Sequence, residues 1–282
     1  MNRGSAAHEG DRVITSPTDH LLVATNGHVV TVTMNRPDKR NAWSGDLIHG
    51  LADVWDQIDA DDDVRVAILT GAGGNFCAGA DLTAMSASRS SSAGDDGFAA
   101  KVGKANAAFR GMLRSERLSK PLIAAVEGYA LAGGTEILQA CDIRVAASDA
   151  TFGLAEVQRS LFPVGGSTVR LQRQIPYTRA AEILLTGDRV DAATALEIGL
   201  IGRIVPTGEA LAVAQQIADR IARNGPLAVQ GILRSMRETA DLSEQEGLGL
   251  ELKIGMGVFA SEDAKEGARA FAEKRDPQFK GR

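Results

Sequence analysis

Two glutamates, Glu136 and Glu156, are the side chains in this sequence best suited to acid–base chemistry. Glu136 falls in an apolar stretch that predicts a helix opened by Gly133 and Gly134, where an unpaired carboxylate would be costly to bury. Glu156 follows a short predicted strand, so the two carboxyl groups could reach one cleft from different elements. Such a pair can divide the duties of general acid and general base.

The segments that must position these glutamates have more than one interpretation. Residues 120–134 predict a buried strand, a turn and the start of a helix. The first N–H groups of a helix have no partner inside it, so those at Gly133 and Gly134 could donate to an oxygen that gains negative charge. The same glycines would also suit close packing between helix and strand. Glu156, taken alone, would also fit an exposed helix start, where negative charge is favourable.

A second glycine-rich run, residues 69–82, follows an apolar strand predicted at 64–69. It contains no lysine and matches neither the phosphate-binding loop G-x-x-x-x-G-K-[ST] nor the dinucleotide pattern G-x-G-x-x-G with its following acid. Phosphoryl transfer and hydride transfer on a dinucleotide-binding fold are therefore disfavoured. A serine hydrolase is also disfavoured, because the motif G-x-S-x-G does not occur.

The composition narrows the remaining classes of protein and of function. With 282 residues, 44% of them hydrophobic, the chain can bury a sizeable core, and we expect one domain with a helical appendage. A net charge of −5 gives no basic footprint for nucleic acid, and no apolar run approaches a membrane span. Two cysteines and four scattered histidines indicate neither a disulfide framework nor a metal site. Residues 1–18 lack an apolar signal core, which predicts a disordered leader on a cytoplasmic protein.

Hydrophobic periodicity predicts an α/β core followed by helices. Residues 22–33 predict a hairpin around Asn26-Gly27, and residues 45–59 predict an amphipathic helix. Strands predicted at 64–69, 121–126 and 142–147 then alternate with helices. We therefore divide the chain into a core at 19–205 and a helical region at 206–282, whose predicted helices are 209–223, 226–237, 243–259 and 261–274.

Several short blocks occur in a fixed order and carry a resemblance to a known family. They are Asn35-Arg36-Pro37, Arg40-Asn41-Ala42, Phe76-Cys77-Ala78-Gly79-Ala80-Asp81, Gly133-Gly134-Thr135-Glu136 and Phe152-Gly153-Leu154-Ala155-Glu156. Together they resemble the crotonase (enoyl-CoA hydratase/isomerase) superfamily, from about residue 22 to the C-terminus. The resemblance implies an α/β crotonase spiral fold of repeated strand-strand-helix units. It also implies that the C-terminal helices assemble the chain into homotrimers, commonly paired into hexamers.

The resemblance further implies a reaction, the addition of water to a trans-2-enoyl-CoA to give a 3-hydroxyacyl-CoA. Glu136 and Glu156 would act on one water, with the order of acid and base left open. The backbone N–H groups of Ala80 and Gly133 would hold the thioester oxygen as an oxyanion hole. Coenzyme A (CoA) would enter as part of the substrate, with no separate cofactor and no metal. The residues implied in CoA binding are Lys39, Arg40, Asn41, Ala42, Ala78, Gly79, Asp81, Leu82, Phe271 and Lys274, the last two reaching CoA on a neighbouring subunit.

Other activities of the same fold stay open at this stage. Double-bond isomerisation needs one base, thioester hydrolysis or dehalogenation needs a different carboxylate arrangement, and a silent CoA-ester-binding oligomer needs no glutamate pair. The acyl pocket would be shaped by a loop at 84–97, by residues 161–166 and by the C-terminal helices. Several segments look similar to actinobacterial hydratases, including one acting on steroid side-chain CoA esters, so a bulky acyl group is a hypothesis.

Overall fold

The computed structural model describes residues 14–81 and 98–282. Most of the predicted leader lies outside the described residues, as do Leu82 and the predicted loop at 84–97. Residues 14–18, also assigned to the leader, are described, and they pack against the core. Ile14 is buried, and the backbone of Thr15 exchanges two hydrogen bonds with the side chain of Gln57, at 3.0 and 3.1 Å.

The larger sheet has six strands in the order β1-β2-β3-β4-β6-β9. β1 and β2 form the predicted hairpin, with Gly27 at a φ of 55° in its turn, and the other neighbours run parallel. β4 is buried along its whole length, as expected for a parallel strand covered on both faces. The bounds are β1 Leu21–Asn26, β2 Val29–Met34, β3 Val66–Gly71, β4 Leu122–Val126, β6 Ile143–Ala147 and β9 Arg203–Val205.

A smaller sheet carries the strands that lead to both glutamates. It comprises β5 (Tyr129–Leu131), β7 (Thr151–Gly153) and β8 (Arg189–Asp191), in the order β5-β7-β8. β4 passes directly into β5, and β6 into β7, so the chain twice runs from the large sheet to the small one before a helical segment. This repeat of strand, strand and helix confirms the predicted crotonase spiral fold.

The predicted amphipathic helix is α1 (Gly45–Ala60), and it begins where Ser44 accepts a hydrogen bond from the N–H of Leu47 at 3.2 Å. Its apolar face is buried except for the half-buried Ile48, and the helix packs on α2 (Phe98–Gly111). The indole N–H of Trp55 donates to the carbonyl oxygen of Gly111 at 3.0 Å, so this buried polar group is satisfied.

The remaining helices fall into a group within the core and a group that comes after it. The second group confirms the four helices predicted after residue 206. The core helices are α3 (Gly133–Leu138), α4 (Ser167–Gln174), α5 (Tyr177–Thr186) and α6 (Ala192–Glu197), and the later ones are α7 (Ala210–Ala222), α8 (Pro226–Glu238), α9 (Glu244–Phe259) and α10 (Glu262–Glu273).

α7 covers the face of the large sheet opposite α1, where its alanine-rich stripe packs against Val66, Ile68 and Ile123. The carboxylate of Glu127, just after β4, accepts hydrogen bonds from the N–H groups of Gly208 and Ala210, both at 3.0 Å. It thereby satisfies N–H groups at the start of α7 and fixes this helix to the sheet.

α8 and α9 pack on each other but leave large apolar side chains in solvent. In α9 these recur at helical spacing and form a stripe of Leu248, Leu252, Met256 and Phe259, with Phe259 75% exposed. Among the helices of the described residues, none combines the length and the apolar character needed to cross a membrane.

The contact between α1 and α2 gives a test of the core. A β-carbon on Gly111 would lie 2.0 Å from the carbonyl oxygen of Ile48. Gly111→Ala should therefore force the two helices apart and lower the free energy of unfolding by about 3 kcal/mol, measured by urea denaturation. Gly45→Ala, at the open start of α1, is the control and should change it by less than about 1 kcal/mol. Equal values for the two variants would contradict this packing.

Candidate active site

The glycine-rich loop after β3 is held against Trp43. The N–H of Trp43 donates to the carbonyl oxygen of Gly79 at 2.7 Å, and the N–H of Asp81 donates to the carbonyl oxygen of Trp43 at 3.1 Å. Successive N–H groups of an extended segment point in opposite directions, so the N–H of Ala80 points away from Trp43. It is directed to the other side of the loop, where Ala80 is exposed.

The same loop meets the start of α3. A β-carbon on Gly79 would lie 2.6 Å from the β-carbon of Ala132 and 3.2 Å from the backbone nitrogen of Gly133. Gly133 is the first residue of α3, where its N–H has no partner inside the helix. The structure therefore brings together the two segments that carry the predicted oxyanion donors, Ala80 and Gly133.

The turn that aims the N–H of Gly133 is strained. Ala132 has φ 49° and ψ −120°, a region that residues with a side chain rarely adopt, at a cost of about 1–3 kcal/mol. Its N–H donates to the carbonyl oxygen of Gly153 at 2.7 Å, and its carbonyl oxygen accepts the N–H of Glu136 at 3.0 Å. Both bonds hold the turn in place. A side chain at Gly133 is excluded as well, since a β-carbon there would lie 2.5 Å from the Trp43 ring.

Thr135 links the strands that lead to the two glutamates, a role that the sequence analysis did not identify. Its buried hydroxyl donates to the carbonyl oxygen of Ala130 at 2.6 Å and lies 3.2 Å from the N–H of Gly153, which donates to it. β5 ends next to Ala130, and β7 ends at Gly153. One side chain thus ties together the routes by which Glu136 and Glu156 enter the site.

Glu136, a residue of α3, is 4% exposed. Its carboxyl group points at the N-terminus of α4. Its Oε1 accepts the N–H of Ser167 at 3.3 Å, and the N–H of Gly165 also donates to the carboxyl group. A β-carbon on Gly165 would lie 2.6 Å from Oε2, so only glycine leaves room for this contact. Burial, followed by the charge of Glu156, raises the pKa of Glu136 to about 7 against the opposing effect of these donors.

Glu156 stands at the other side of the pair, just before a single 3₁₀ turn at Val157–Arg159. Its Oε2 is buried, and no group of the described residues donates to it. Burial raises the pKa of this carboxyl group too. The charge of Glu156 disfavours the ionised form of Glu136, so the two groups titrate as a pair. With a pKa of about 7, Glu136 can exchange protons with a bound molecule near neutral pH, next to a second carboxyl group whose pKa is also raised.

Asn41, a predicted CoA-binding residue, holds two loops together. Its side chain is fully buried: Oδ1 accepts the N–H of Arg36 at 2.8 Å, and Nδ2 donates to the carbonyl oxygens of Ala72 and Asn75 at 2.9 and 2.7 Å. Both amide hydrogens and one lone pair of the oxygen are used, and the side chain is fully buried, so a ligand cannot reach it. Asn41 therefore positions its neighbours, and CoA binding in this region stays a prediction for the backbone near it.

The other CoA-binding predictions fall mostly on one continuous surface. The N–H of Ala78 donates to the carbonyl oxygen of Arg40 at 2.9 Å, and Asp81 forms an ion pair with Arg36 at 3.1 Å. These bonds join the segment of Lys39, Arg40 and Ala42 to the loop that contains Gly79. Phe271 and Lys274 are both exposed at the end of α10, and Leu82 lies outside the described residues.

A further cationic group on this surface, Arg189, was not predicted from the sequence. The guanidinium carbon of Arg40 lies 5.2 Å from the ring centroid of Tyr129, and that of Arg189 lies 5.4 Å from the same centroid. Such cation–π contacts hold both charges beside the ring. No local pattern could identify Arg189, because only the pairing of β7 with β8 brings it near Tyr129.

Gly165 and Ser167 were also missed as partners of Glu136. Residues 161–166 were predicted to shape the acyl pocket, whereas the helix start that comes next holds Glu136. A usable signal was present, since two glycines before a serine at a helix start are typical of a backbone that approaches an anion closely.

The raised pKa of Glu136 predicts a pH-dependent stability. The folded state holds this proton more tightly than the unfolded chain, so the wild type loses stability as pH rises from about 4.5 to about 7. Glu136→Gln removes that loss. Its free energy of unfolding, relative to the wild type, should rise by roughly 3 kcal/mol between pH 4 and pH 8 in urea denaturation. Glu251→Gln, on the exposed side of α9, is the control, and the same change in both variants would count against this assignment.

Comparison with known proteins agrees with this geometry. The family model for enoyl-CoA hydratase/isomerase matches residues 24–282. The enoyl-CoA hydratase EchA19 of Mycobacterium tuberculosis is 54% identical over 261 residues, covering 93% of this chain and 96% of that protein. The solved structure of an enoyl-CoA hydratase from Bacillus anthracis superposes with a TM-score of 0.85 at 36% identity, covering 94% of this chain and 100% of that one. Another, from Mycobacterium tuberculosis H37Rv, has a TM-score of 0.83 at 43% identity with the same coverage. The chain therefore belongs to the enoyl-CoA hydratase/isomerase family.

Proposed function

We propose that this protein is an enoyl-CoA hydratase, which adds water to a trans-2-enoyl-CoA and forms a 3-hydroxyacyl-CoA. The observation that carries the proposal is the coupled pair of glutamates, of which Glu136 is buried one helical turn from the N–H of Gly133 and Glu156 reaches it from the segment after β7. Two carboxyl groups can act on one water, whereas isomerisation of a double bond needs only one base. The unpaired Oε2 of Glu156 favours a partner that arrives with the reaction, as a water would.

In the reaction, a water bound between the carboxyl groups adds its oxygen to C3 of the enoyl group. One glutamate takes a proton from this water as the C–O bond forms. Electrons of the double bond move toward the thioester, whose oxygen gains negative charge. The second glutamate delivers a proton to C2, which restores the carbonyl group. The pair ends with as many protons as it began with, so the steps are assigned to the pair and not to one member.

The charge on the thioester oxygen is met by the N–H groups of Ala80 and Gly133. Because the loop from Gly79 to Asp81 and the turn at Ala132 are already fixed, these donors need little reorganisation when the charge appears. Loss of one such donor costs about 3 kcal/mol of transition-state stabilisation in other enzymes. Neither donor is a side chain, so the strain at Ala132 serves to aim a backbone group.

CoA enters this site as part of the substrate, and no separate cofactor is needed for the addition of water. Its phosphates would meet the cationic surface formed by Lys39, Arg40 and Arg189, of which the two arginines are held beside Tyr129. Its thioester end would lie along the backbone of residues 78–81. A bulky or steroid acyl group stays a hypothesis, tested by comparing kcat/KM for crotonyl-CoA, a medium-chain enoyl-CoA and a steroid enoyl-CoA.

The first test of the reaction is the loss of enoyl-thioester absorbance with wild-type protein and with the variants Glu136→Gln and Glu156→Gln. Each variant should lower kcat at least a hundredfold and leave the Kd for a saturated acyl-CoA within about threefold, because glutamine keeps the shape but exchanges no proton. Glu251→Gln is the matched control and should retain full activity. Full activity of both site variants would rule out the mechanism, and migration of the double bond without hydration would favour an isomerase.

The same proposal includes assembly into a homotrimer or a pair of trimers, formed through residues 206–282 in a cytoplasmic protein. Its support is the exposed stripe of Leu248, Leu252, Met256 and Phe259 on α9, since stripes of this kind are usually covered in an assembly. Light scattering after size-exclusion chromatography should give three or six times the 29.6 kDa chain mass. The variant Leu252→Glu/Met256→Glu should dissociate the assembly, and a monomeric wild type would exclude it.

A further inference from the structure

The first turn of α4 contains a buried hydroxyl group that the hydration chemistry does not yet use. Ser167 is fully buried, and its Oγ lies 2.8 Å from Nε2 of Gln139, which is also fully buried. The same Nε2 lies 3.1 Å from the carbonyl oxygen of Thr135. Ser167 also presents its backbone N–H to Oε1 of Glu136 at 3.3 Å. The hydroxyl therefore stands between an amide and a glutamate of the site.

The direction of these hydrogen bonds is set by the acceptors. The carbonyl oxygen of Thr135 can only accept, so the Gln139 atom that faces it must be the NH₂ group. That group then also donates to Oγ of Ser167. With its oxygen accepting from Gln139, the hydroxyl of Ser167 has its own hydrogen free to donate elsewhere. The carboxyl group of Glu136 lies beside this residue, since its Oε1 accepts the backbone N–H of Ser167 at 3.3 Å, and the Ser167 hydroxyl favours its charged form.

We propose that Ser167, oriented by Gln139, is a positioning residue that donates its hydroxyl hydrogen to Glu136 and so sets both the direction and the charge of this carboxyl group. The proposal rests on the hydratase function proposed above. Gln139 and Ser167 act together. The side-chain amide of Gln139 orients the hydroxyl of Ser167, and that hydroxyl orients the carboxyl group of Glu136. A hydrogen bond of this kind to a charged group is stronger than one between neutral groups.

Other charged groups also face Glu136, so the test must separate the effect of the Ser167 hydroxyl from the effects of these charges. Glu156 approaches from the segment after β7 and disfavours the ionised form of Glu136, while Arg170, on α4, is attracted to it. Gly165 and Met112 contact the same region but carry no charge. Removing the hydroxyl of Ser167 leaves all of these in place, so its effect on Glu136 can be measured alone.

The test is the pH profile of kcat/KM for Ser167→Ala, Gln139→Met and the double variant, with Thr168→Ala as the neighbouring hydroxyl deletion. In Ser167→Ala the limb of the profile that reports the ionisation of Glu136 should move up by about one pH unit, whether Glu136 is the acid or the base. The other limb should not move. KM should change less than twofold. Gln139→Met should move the same limb by less, and the double variant should match Ser167→Ala, because the amide acts only through the hydroxyl. Thr168→Ala should leave both limbs in place.

A second readout needs no activity. The wild type should lose stability with rising pH until about pH 7, and Ser167→Ala should continue to lose it until about pH 8. No movement of either limb and no change in this end point would overturn the proposal, as would equal and additive effects of the two single variants. Failure of the hydratase function would show differently: the wild type would hydrate no enoyl-CoA, while the shift in pH-dependent stability between wild type and Ser167→Ala would persist.

Discussion

The burial of one carboxyl group beside another is the constraint on which this site depends. Glu136 is almost completely removed from solvent, and the charge of Glu156 adds repulsion to the cost of burial. Such a group persists only if the fold supplies donors to its charged form. The start of α4 supplies them, and it reaches the carboxyl group because residue 165 has no side chain. The result is a glutamate whose pKa lies near neutrality, poised to gain or lose a proton.

The fold must also direct two backbone N–H groups, those of Ala80 and Gly133, at one position in the site. Backbone N–H groups such as those of Ala80 and Gly133 occur in every protein chain. Their use as donors here depends on the residues that hold them in position. Trp43 fixes the loop on one side and leaves no room for a side chain at Gly133 on the other. Ala132 accepts a strained conformation to direct the next N–H outward, and buried hydrogen bonds offset that strain. Residues that never touch a substrate thus determine the chemistry.

Much of the fold could be predicted because its strands and helices carry strong local patterns. The hairpin around Gly27, α1 and the four C-terminal helices are direct consequences of hydrophobic periodicity and turn residues. The two glutamates and two glycine-rich segments were recognisable for a different reason, since a buried acid and paired glycines are unusual in apolar stretches. Asn41 shows the limit of this reasoning. Its position near the predicted CoA loop was identified, but its buried side chain supports that loop through three hydrogen bonds.

The sequence alone determined the order of strands and helices, the motifs shared with the family and the presence of the two acids. Each of these depends on a pattern of residues that are close together along the chain. Only the tertiary structure decided which groups surround those acids. Ser167 lies on α4, Gln139 comes directly after α3, and Arg189 reaches Tyr129 through the pairing of β7 with β8. These contacts join residues far apart in sequence, and the pKa of Glu136 is set by the electrostatics of that assembled environment. Local patterns contain no information about distances across the core, which arise only when the two sheets and their helices pack together.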